Sequence, residues 1–299
     1  MNKSILIIGS HGFIGSHLCR YFEKSWKLYK CDDKAITDDP AFYRVDRNNP
    51  DYDKIIAAVE PDVCIYAGGS GNVSLSISEP ATDFLLNTLD VSKLLYAIKG
   101  NKPSCKFIHI SSAAVYGNPS ELPVKENHPV SPLSPYGWHK YMSEILCKEF
   151  STQYQIPTLS MRVFSVYGER LRKQLFWDLY SKFKENGPVT LFGTGKESRD
   201  FIYIEDLLTV FDLLIKNAEF KGEVINVSSG IETTIEVAAS HFKELYNPKK
   251  EIIFNGQVKI GDPVNWRADV SKIQAYGFSA KITLESGLQN YVKWLKENE

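Results

Sequence analysis

Three glycines spaced three apart, Gly9, Gly12 and Gly15, constrain this chain more than any other feature. They follow a short apolar run at residues 4–8, and a helical pattern opens at Phe13. A strand that turns tightly and passes straight into a helix needs this arrangement. Gly9 lets the chain turn, Gly12 lets the backbone approach a pyrophosphate, and Gly15 lets the helix pack close to a sheet. Phosphates would then sit at the positive end of that helix, whose first turn carries Phe13 and Ile14. The end of the next strand brings Asp32, followed by Asp33. A carboxylate there accepts from both ribose hydroxyls of NAD and repels the extra phosphate of NADP. No Arg or Lys follows directly on the glycine turn to suggest NADP.

The rest of the front half keeps the same rhythm. Strands are predicted at 26–31, 63–67, 106–111 and 158–163. Helices are predicted at 13–24, 52–60 and 81–98, with another opening at Ser134-Pro135, where Ser is the N-cap and Pro the first helical residue. Alternating strands and helices predict an α/β fold, a doubly wound parallel sheet with helices on both faces. The rhythm breaks after Val163. The expected division is an NAD-binding lobe over 1–165, completed by parts of 200–230, and a smaller, mainly substrate-binding lobe over 166–299.

Composition narrows the partners. Thirty-five Lys and Arg against 36 Asp and Glu leave a formal charge of -1, which argues against a chain dedicated to nucleic acid or an anionic membrane. The apolar run at 5–8 is too short for a signal peptide or a membrane span, and five scattered cysteines contain no CxxC pair. These features point to the cytoplasm and to free, buried thiols. His11, His109 and His139 lack metal-ligand spacing, so no metal is expected. Arg170, Arg172 and Lys173 form a short basic cluster that reads as a solvated face or a phosphate contact.

Tyr136 and Lys140 stand at i and i+4 on one helical face. A free Tyr has a pKa of about 10. A nearby ammonium and a positive nicotinamide favour its phenolate, which can take a proton from a sugar hydroxyl or return one to a ketone. Ser112, at the end of a predicted strand, can hydrogen-bond the same oxygen. The Tyr-x-x-x-Lys pair by itself is common on exposed helices; behind a dinucleotide fold, with Ser112 upstream, it reads as catalytic.

With these pieces the chain resembles the extended short-chain dehydrogenase/reductase superfamily, in its NAD-dependent nucleotide-sugar epimerase/dehydratase branch. Further matching pieces are Asp46, Ala67-Gly68, Asn87, the run from Ser111 to Gly117, Arg162, Val166-Tyr167-Gly168, Arg199-Asp200-Phe201-Ile202, Gly261-Asp262 and Ala268-Asp269. The resemblance implies that Asp46 reaches the adenine. It places Ala67, Gly68, Asn87 and Phe164, together with Tyr136 and Lys140, along the NAD. Arg199 is implied to grip the substrate diphosphate, with Ser112, Tyr136, Ser165, Lys259, Asp262 and Trp266 on the nucleotide sugar.

Departures from the family pattern sharpen the expectation. Dehydratases of the family carry an acidic pair after the Ser or Thr, and here Ala113-Ala114 follow Ser112. After Arg162 the usual Phe-Asn is Phe164-Ser165, and Lys259 stands where an Arg is frequent. Lys neutralises phosphate but cannot fork onto it. Trp266 falls at a position that gates the sugar pocket in related epimerases; ordinary packing is an equal reading. The leading expectation is an NAD-dependent nucleotide-sugar 4-epimerase acting through transient oxidation to a 4-keto sugar. An NAD(P)H-dependent 4-ketoreductase of an NDP-4-keto-6-deoxyhexose is the alternative, and a non-catalytic NAD-binding scaffold is a distant third. Resemblance also suggests a homodimer and a place in polysaccharide biosynthesis.

Overall fold

A computed structural model describes residues 3–34, 38–257, 261 and 263–299. The chain divides into two compact units, each assembled from several stretches. One comprises Met1–Gly117, Val130–Val163 and Phe211–Ile225; the other comprises Asn118–Pro129, Phe164–Val210 and Asn226–Glu299.

The first unit is built on a sheet whose leading strands are β1 (Ser4–Ile8), β2 (Lys27–Asp32), β3 (Phe42–Arg44), β4 (Val63–Tyr66), β5 (Lys106–Ser112) and β6 (Thr158–Val163). Its spatial order is the strand Lys221–Val227, then β6, β5, β4, β1, β2 and β3. β1 pairs in parallel with β2 on one side and with β4 on the other, so the strand order reverses beside it. That reversal opens a crevice at the carboxyl ends of the strands, where ligands of such sheets bind. Ile5, Leu6, Ile7 and Ile8 are all buried, as a strand covered on both faces requires.

The helices are α1 (Phe13–Phe22), α2 (Tyr52–Val59), α3 (Val73–Ser78), α4 (Pro80–Phe84), α5 (Asp90–Asn101) and α6 (Pro135–Tyr154). Leu6, Tyr66 and Phe107 of the sheet pack with Ile56 of α2 and with Leu94 and Ile98 of α5 in one apolar core. α6 begins as its sequence predicts: the Ser134 side chain accepts from the Gly137 N–H, and Pro occupies the first turn.

The single helix expected at 81–98 is interrupted. A π-helical turn at Leu85–Leu89 separates α4 from α5. A π turn adds a residue and disturbs the regular carbonyl acceptors, so it persists where side chains capture them. Tyr66 donates its hydroxyl to the Leu86 carbonyl at 2.7 Å, and Ser143 of α6 donates to that of Asn87. Thr88 in turn donates to the His139 carbonyl at 3.0 Å. These partners are distant in sequence, which is why helical periodicity does not reveal the bulge. The edge strand β3 was likewise not anticipated; its three residues are too few to show a period.

The second unit holds a three-stranded sheet of Glu232–Thr234, Ser198–Tyr203 and Ser165–Tyr167, with Ser165 beside Phe201 in register. Asp200 is its polar anchor. Its buried carboxylate accepts from the Ser228 hydroxyl at 2.6 Å, the Gly230 N–H at 3.1 Å and the Ala268 N–H at 3.0 Å. Burial raises its pKa, and these donors oppose the rise. One carboxylate thereby ties two connecting segments to the strand that carries Arg199. Among the described residues, no helix is long and apolar enough to cross a membrane.

Candidate active site

The crevice beside β1 is a cleft of about 230 Å³, formed by the ends of β1, β2 and β4. Gly9, Gly12, Asp32, Ala67 and Gly68 line it, as expected of cofactor-binding residues. The glycines are steric necessities. Gly9 has φ +80°, and a Cβ there would lie 2.6 Å from the Ala67 backbone. A Cβ on Gly15 would lie 2.0 Å from the Gly9 carbonyl oxygen. Phe13 and Ile14 begin α1 directly behind the turn, and no acidic residue stands in that helix's first turn. The positive helix end is therefore left for an anion.

Asp32 is held in its ionised form. Burial pushes its pKa up, but the N–H groups of His11 (2.9 Å), Asp33 (2.9 Å) and Lys34 (3.3 Å) converge on the carboxylate, and the net effect holds it below the ordinary range. A fixed carboxylate at the end of β2 suits a ribose diol and opposes a 2′-phosphate. The bare glycine cradle, the free helix end and this carboxylate together fit a dinucleotide of the NAD type.

Two cations that sequence reasoning missed, Lys34 and Arg47, also line the cleft. Arg47 donates from Nη2 to the Gly68 carbonyl at 3.0 Å, and its Nη1 stands 3.8 Å from Asp33. Asp46, by contrast, is exposed, and its Oδ1 accepts from the Asn48 N–H at 2.9 Å; its neighbours Val45 and Arg47 are the lining residues. Asp90 and Tyr66 complete the inner wall. Their signal was faint: an acid and a phenol within strongly apolar segments.

The groups expected to do chemistry stand in the same unit. Ser112 ends β5, and its hydroxyl oxygen accepts from the Ala114 N–H at 3.2 Å. The same hydroxyl hydrogen-bonds the Tyr136 phenol. Lys140, one turn after Tyr136 on α6, is buried; its Nζ donates to the Ile110 carbonyl at 2.9 Å and lies 5.9 Å from the centre of the Tyr136 ring. Asn87 sits in the π turn. Its Nδ2 donates to Asp83 at 3.0 Å, while its buried Oδ1 has no partner among the described residues. A Cβ on Gly69 would meet that oxygen at 2.3 Å and Lys140 Nζ at 3.0 Å, so the π turn, the end of β4 and α6 converge here.

The ammonium of Lys140 and the positive nicotinamide ring were expected to favour the phenolate together; the protein's own groups act in the other direction. Burial dominates and pushes the Tyr136 pKa up to about 12; the Ser112 bond opposes the rise and the Asp83 carboxylate adds to it. A lone Tyr–Lys pair cannot offset desolvation when the ammonium faces a backbone carbonyl.

In the second unit Trp266 brings together Phe164, expected along the NAD, and Arg199, expected at the substrate diphosphate. Phe164 and Trp266 meet edge to face at 5.8 Å, and the Arg199 guanidinium lies 5.5 Å from the Trp266 ring. Arg199 Nη1 donates to the carbonyls of Ser198 (2.8 Å) and Val264 (3.2 Å). Trp266 is thus a platform that orients a cation, a packing role. Ser165 is partly exposed at the start of its strand. Lys259 and Asp262 lie outside the described residues. Among the described residues, no three His, Cys, Asp or Glu side chains cluster as metal ligands would.

Residues 5–228 match the NAD dependent epimerase/dehydratase family. A protein of Methanocaldococcus jannaschii described as a candidate UDP-glucose 4-epimerase is 30% identical over 306 residues, covering 98% of this chain and 99% of that one. Among solved structures, the UDP-glucuronic acid 4-epimerase from Bacillus cereus, in complex with UDP-glucuronic acid and NAD, is 30% identical with a TM-score of 0.87, covering 99% of this chain and 100% of that one. The UDP-glucose 4-epimerase from Thermotoga maritima, with UDP-glucose, is 26% identical with a TM-score of 0.88, covering 98% of this chain and 99% of that one.

Proposed function

The chain belongs to the NAD-dependent epimerase/dehydratase family, and from that premise we propose that this NAD-dependent enzyme is a nucleotide-sugar 4-epimerase acting on a UDP-hexose. The observation that carries the reading is Ser112 bonded to Tyr136 with Lys140 one turn behind, at a place where the next two residues are Ala113 and Ala114. That constellation moves one proton at a carbinol and offers no adjacent acid to expel water. The 4-epimerases among its relatives support the choice of stereocentre and of uridine nucleotide.

In this reading the pyrophosphate of NAD lies on the Gly9–Gly15 turn, and Asp32 accepts from its ribose. Ala67, Gly68, Asn87 and Phe164 border its remaining length. When bound, NAD supplies the hydride acceptor and a positive ring. Tyr136 takes the proton from the sugar 4-hydroxyl as the carbinol is oxidised, and gives it back once the hydride has returned to the opposite face of the ketone. Ser112 holds the oxygen between them. Lys140 holds the phenolate, its charge acting where burial alone disfavours ionisation. Arg199 anchors the diphosphate, with Ser165 and Trp266 as further contacts of the nucleotide sugar.

The test is an incubation with UDP-glucose, UDP-N-acetylglucosamine and UDP-glucuronic acid without added NADH or NADPH. The expected result is inversion at C4 of one of them, read by NMR. No inversion, with added NADH or NADPH consumed by a 4-keto sugar, would sink the epimerase reading in favour of a ketoreductase.

A homodimer is proposed as the working form. Trp138, Met142 and Ile145 form an exposed stripe at i, i+4 and i+7 on α6, and Leu89 and Tyr96 add exposed apolar surface from the π turn and α5. Side chains of this size on neighbouring helices suit a helix-to-helix interface. Ile145→Glu with Tyr96→Glu is expected to shift the sedimentation coefficient from dimer to monomer while far-UV circular dichroism stays unchanged. A monomeric parent protein would remove the proposal.

A further inference from the structure

Asp90 is the least explained charge in the molecule. It opens α5 directly after the π turn and lines the cofactor cleft, yet only 3% of its surface is exposed. Its Oδ1 has no hydrogen-bond partner among the described residues. Its Oδ2 receives only a long contact of 3.5 Å from the Tyr66 hydroxyl, whose better acceptor is the Leu86 carbonyl at 2.7 Å. A buried carboxylate with an unused oxygen is costly and is retained where something donates to it.

The surroundings narrow what that donor is. Asp90 shares the cleft with the rings and aliphatic chains of Ile8, Val45, Tyr52 and Tyr66, with Arg47 and Lys34 also lining it, and Asp32, the proposed ribose acceptor, stands on the same cleft. A flat, weakly polar group with an N–H at its edge fits such a cleft. On a dinucleotide whose ribose meets Asp32, the group beyond is the adenine, and its one exocyclic donor is the 6-amino group. We propose that Asp90 is an adenine-specificity residue, its carboxylate accepting from the 6-amino group of NAD. Asp46, which the resemblance places at the adenine, is exposed and its Oδ1 accepts from the Asn48 N–H, so Asp46→Ala is the control for Asp90→Ala.

The proposal has a pH signature. Burial raises the Asp90 pKa to about 6; Lys93, Arg47 and the Tyr66 hydroxyl oppose the rise without cancelling it. Tyr52 and Cys31 also face it from α2 and β2, and burial pushes both far above neutral pH, so neither titrates with it. Above about pH 6 the carboxylate is ionised and accepts fully; below it, a proton weakens the acceptor. NAD affinity should therefore fall as pH drops from 7 to 5.

The experiment measures binding by calorimetry to protein freed of cofactor. It compares NAD with nicotinamide purine dinucleotide, in which hydrogen stands where the 6-amino group is. A hydrogen bond to a charged group predicts about a thirty-fold preference for NAD at pH 7.5. Asp90→Ala should bind the two dinucleotides within about three-fold of each other. Asp90→Asn, which keeps a neutral acceptor oxygen and the shape, should retain a preference of about five-fold and lose the pH dependence between 5 and 7. The variants' circular dichroism controls for folding. A preference unchanged in Asp90→Ala, or lost only in Asp46→Ala, would overturn the proposal. The readout is binding and involves no sugar, so its failure is distinct from a failure of the epimerase reading.

Discussion

Tyr136→Phe is expected to lower turnover by about a thousand-fold while leaving NAD binding unchanged, because it deletes one oxygen and nothing else. The ring remains in place beside Lys140, whose ammonium is fixed by the Ile110 carbonyl and does not depend on the phenol. Ser112 loses its partner, but its hydroxyl still accepts from the Ala114 N–H, so the end of β5 keeps its form. Tyr136 is not among the residues that line the cleft beside β1, where the glycine turn and Asp32 stand. The measurement is the rate of C4 inversion of the accepted UDP-sugar, alongside calorimetric NAD affinity. A variant retaining a tenth or more of the parent rate would show that another group carries the proton. The phenol's pKa, raised to about 12 without cofactor, adds a direction. The active form is the phenolate, so turnover should rise with pH along its acidic limb, and the loss in Tyr136→Phe should be greatest at high pH.

Glu144→Ala should be the most destabilising of the substitutions considered, at about 3–5 kcal/mol. Glu144 lies on α6 with 4% of its surface exposed, against Arg162 of β6 with 3%. The guanidinium forks onto it, Nη2 to Oε2 at 2.7 Å and Nε to Oε1 at 3.0 Å. Ser111 of β5 donates to Oε1 at 2.5 Å, and the Arg162 guanidinium stands 4.6 Å from the Tyr116 ring. Removing the acid leaves a buried cation that has lost its paired charge. Removing both charges does not, so Glu144→Met with Arg162→Met should recover most of the loss. Urea unfolding of the single and double variants checks this, and a cost below about 1 kcal/mol for Glu144→Ala would refute it. The double variant is also informative about the site. α6 carries Tyr136 two turns and Lys140 one turn upstream, and Glu144 ties the helix to Ser111 of β5 and Arg162 of β6. A stable double variant with reduced kcat and unchanged NAD affinity would show that the pair positions α6.

Much of the molecule was legible in its sequence, and for local reasons. The turn at Gly9–Gly15 is a matter of backbone geometry, since a Cβ at Gly9 or Gly15 would overlap main chain, and such constraints leave glycines at fixed intervals. β1 and β4 read as strands because both of their faces are buried and both faces are apolar. The N-cap at Ser134 and the spacing of Tyr136 and Lys140 act within two turns of one helix. Local rules sufficed to place the parallel sheet, the glycine turn beside β1 and the helix that carries Tyr136 and Lys140.

What failed was whatever depends on neighbours far along the chain. The π turn at Leu85–Leu89 is held by Tyr66 and Ser143, and no window on residues 81–98 contains them. Arg47 and Asp90 enter the cleft because the fold brings the end of β3, β4 and α5 together there. The ionisation of Tyr136 shows the same division. Helical spacing places an ammonium one turn away, but desolvation by the packed chain sets the sign of the shift, with the Asp83 carboxylate adding to it. The sequence by itself determined the fold class, the cofactor and the identity of the candidate catalytic residues, because these rest on short-range geometry. Only the tertiary structure decided which charges face the cofactor and how strongly the phenol resists ionisation, because burial and long-range hydrogen bonds are properties of the packed chain.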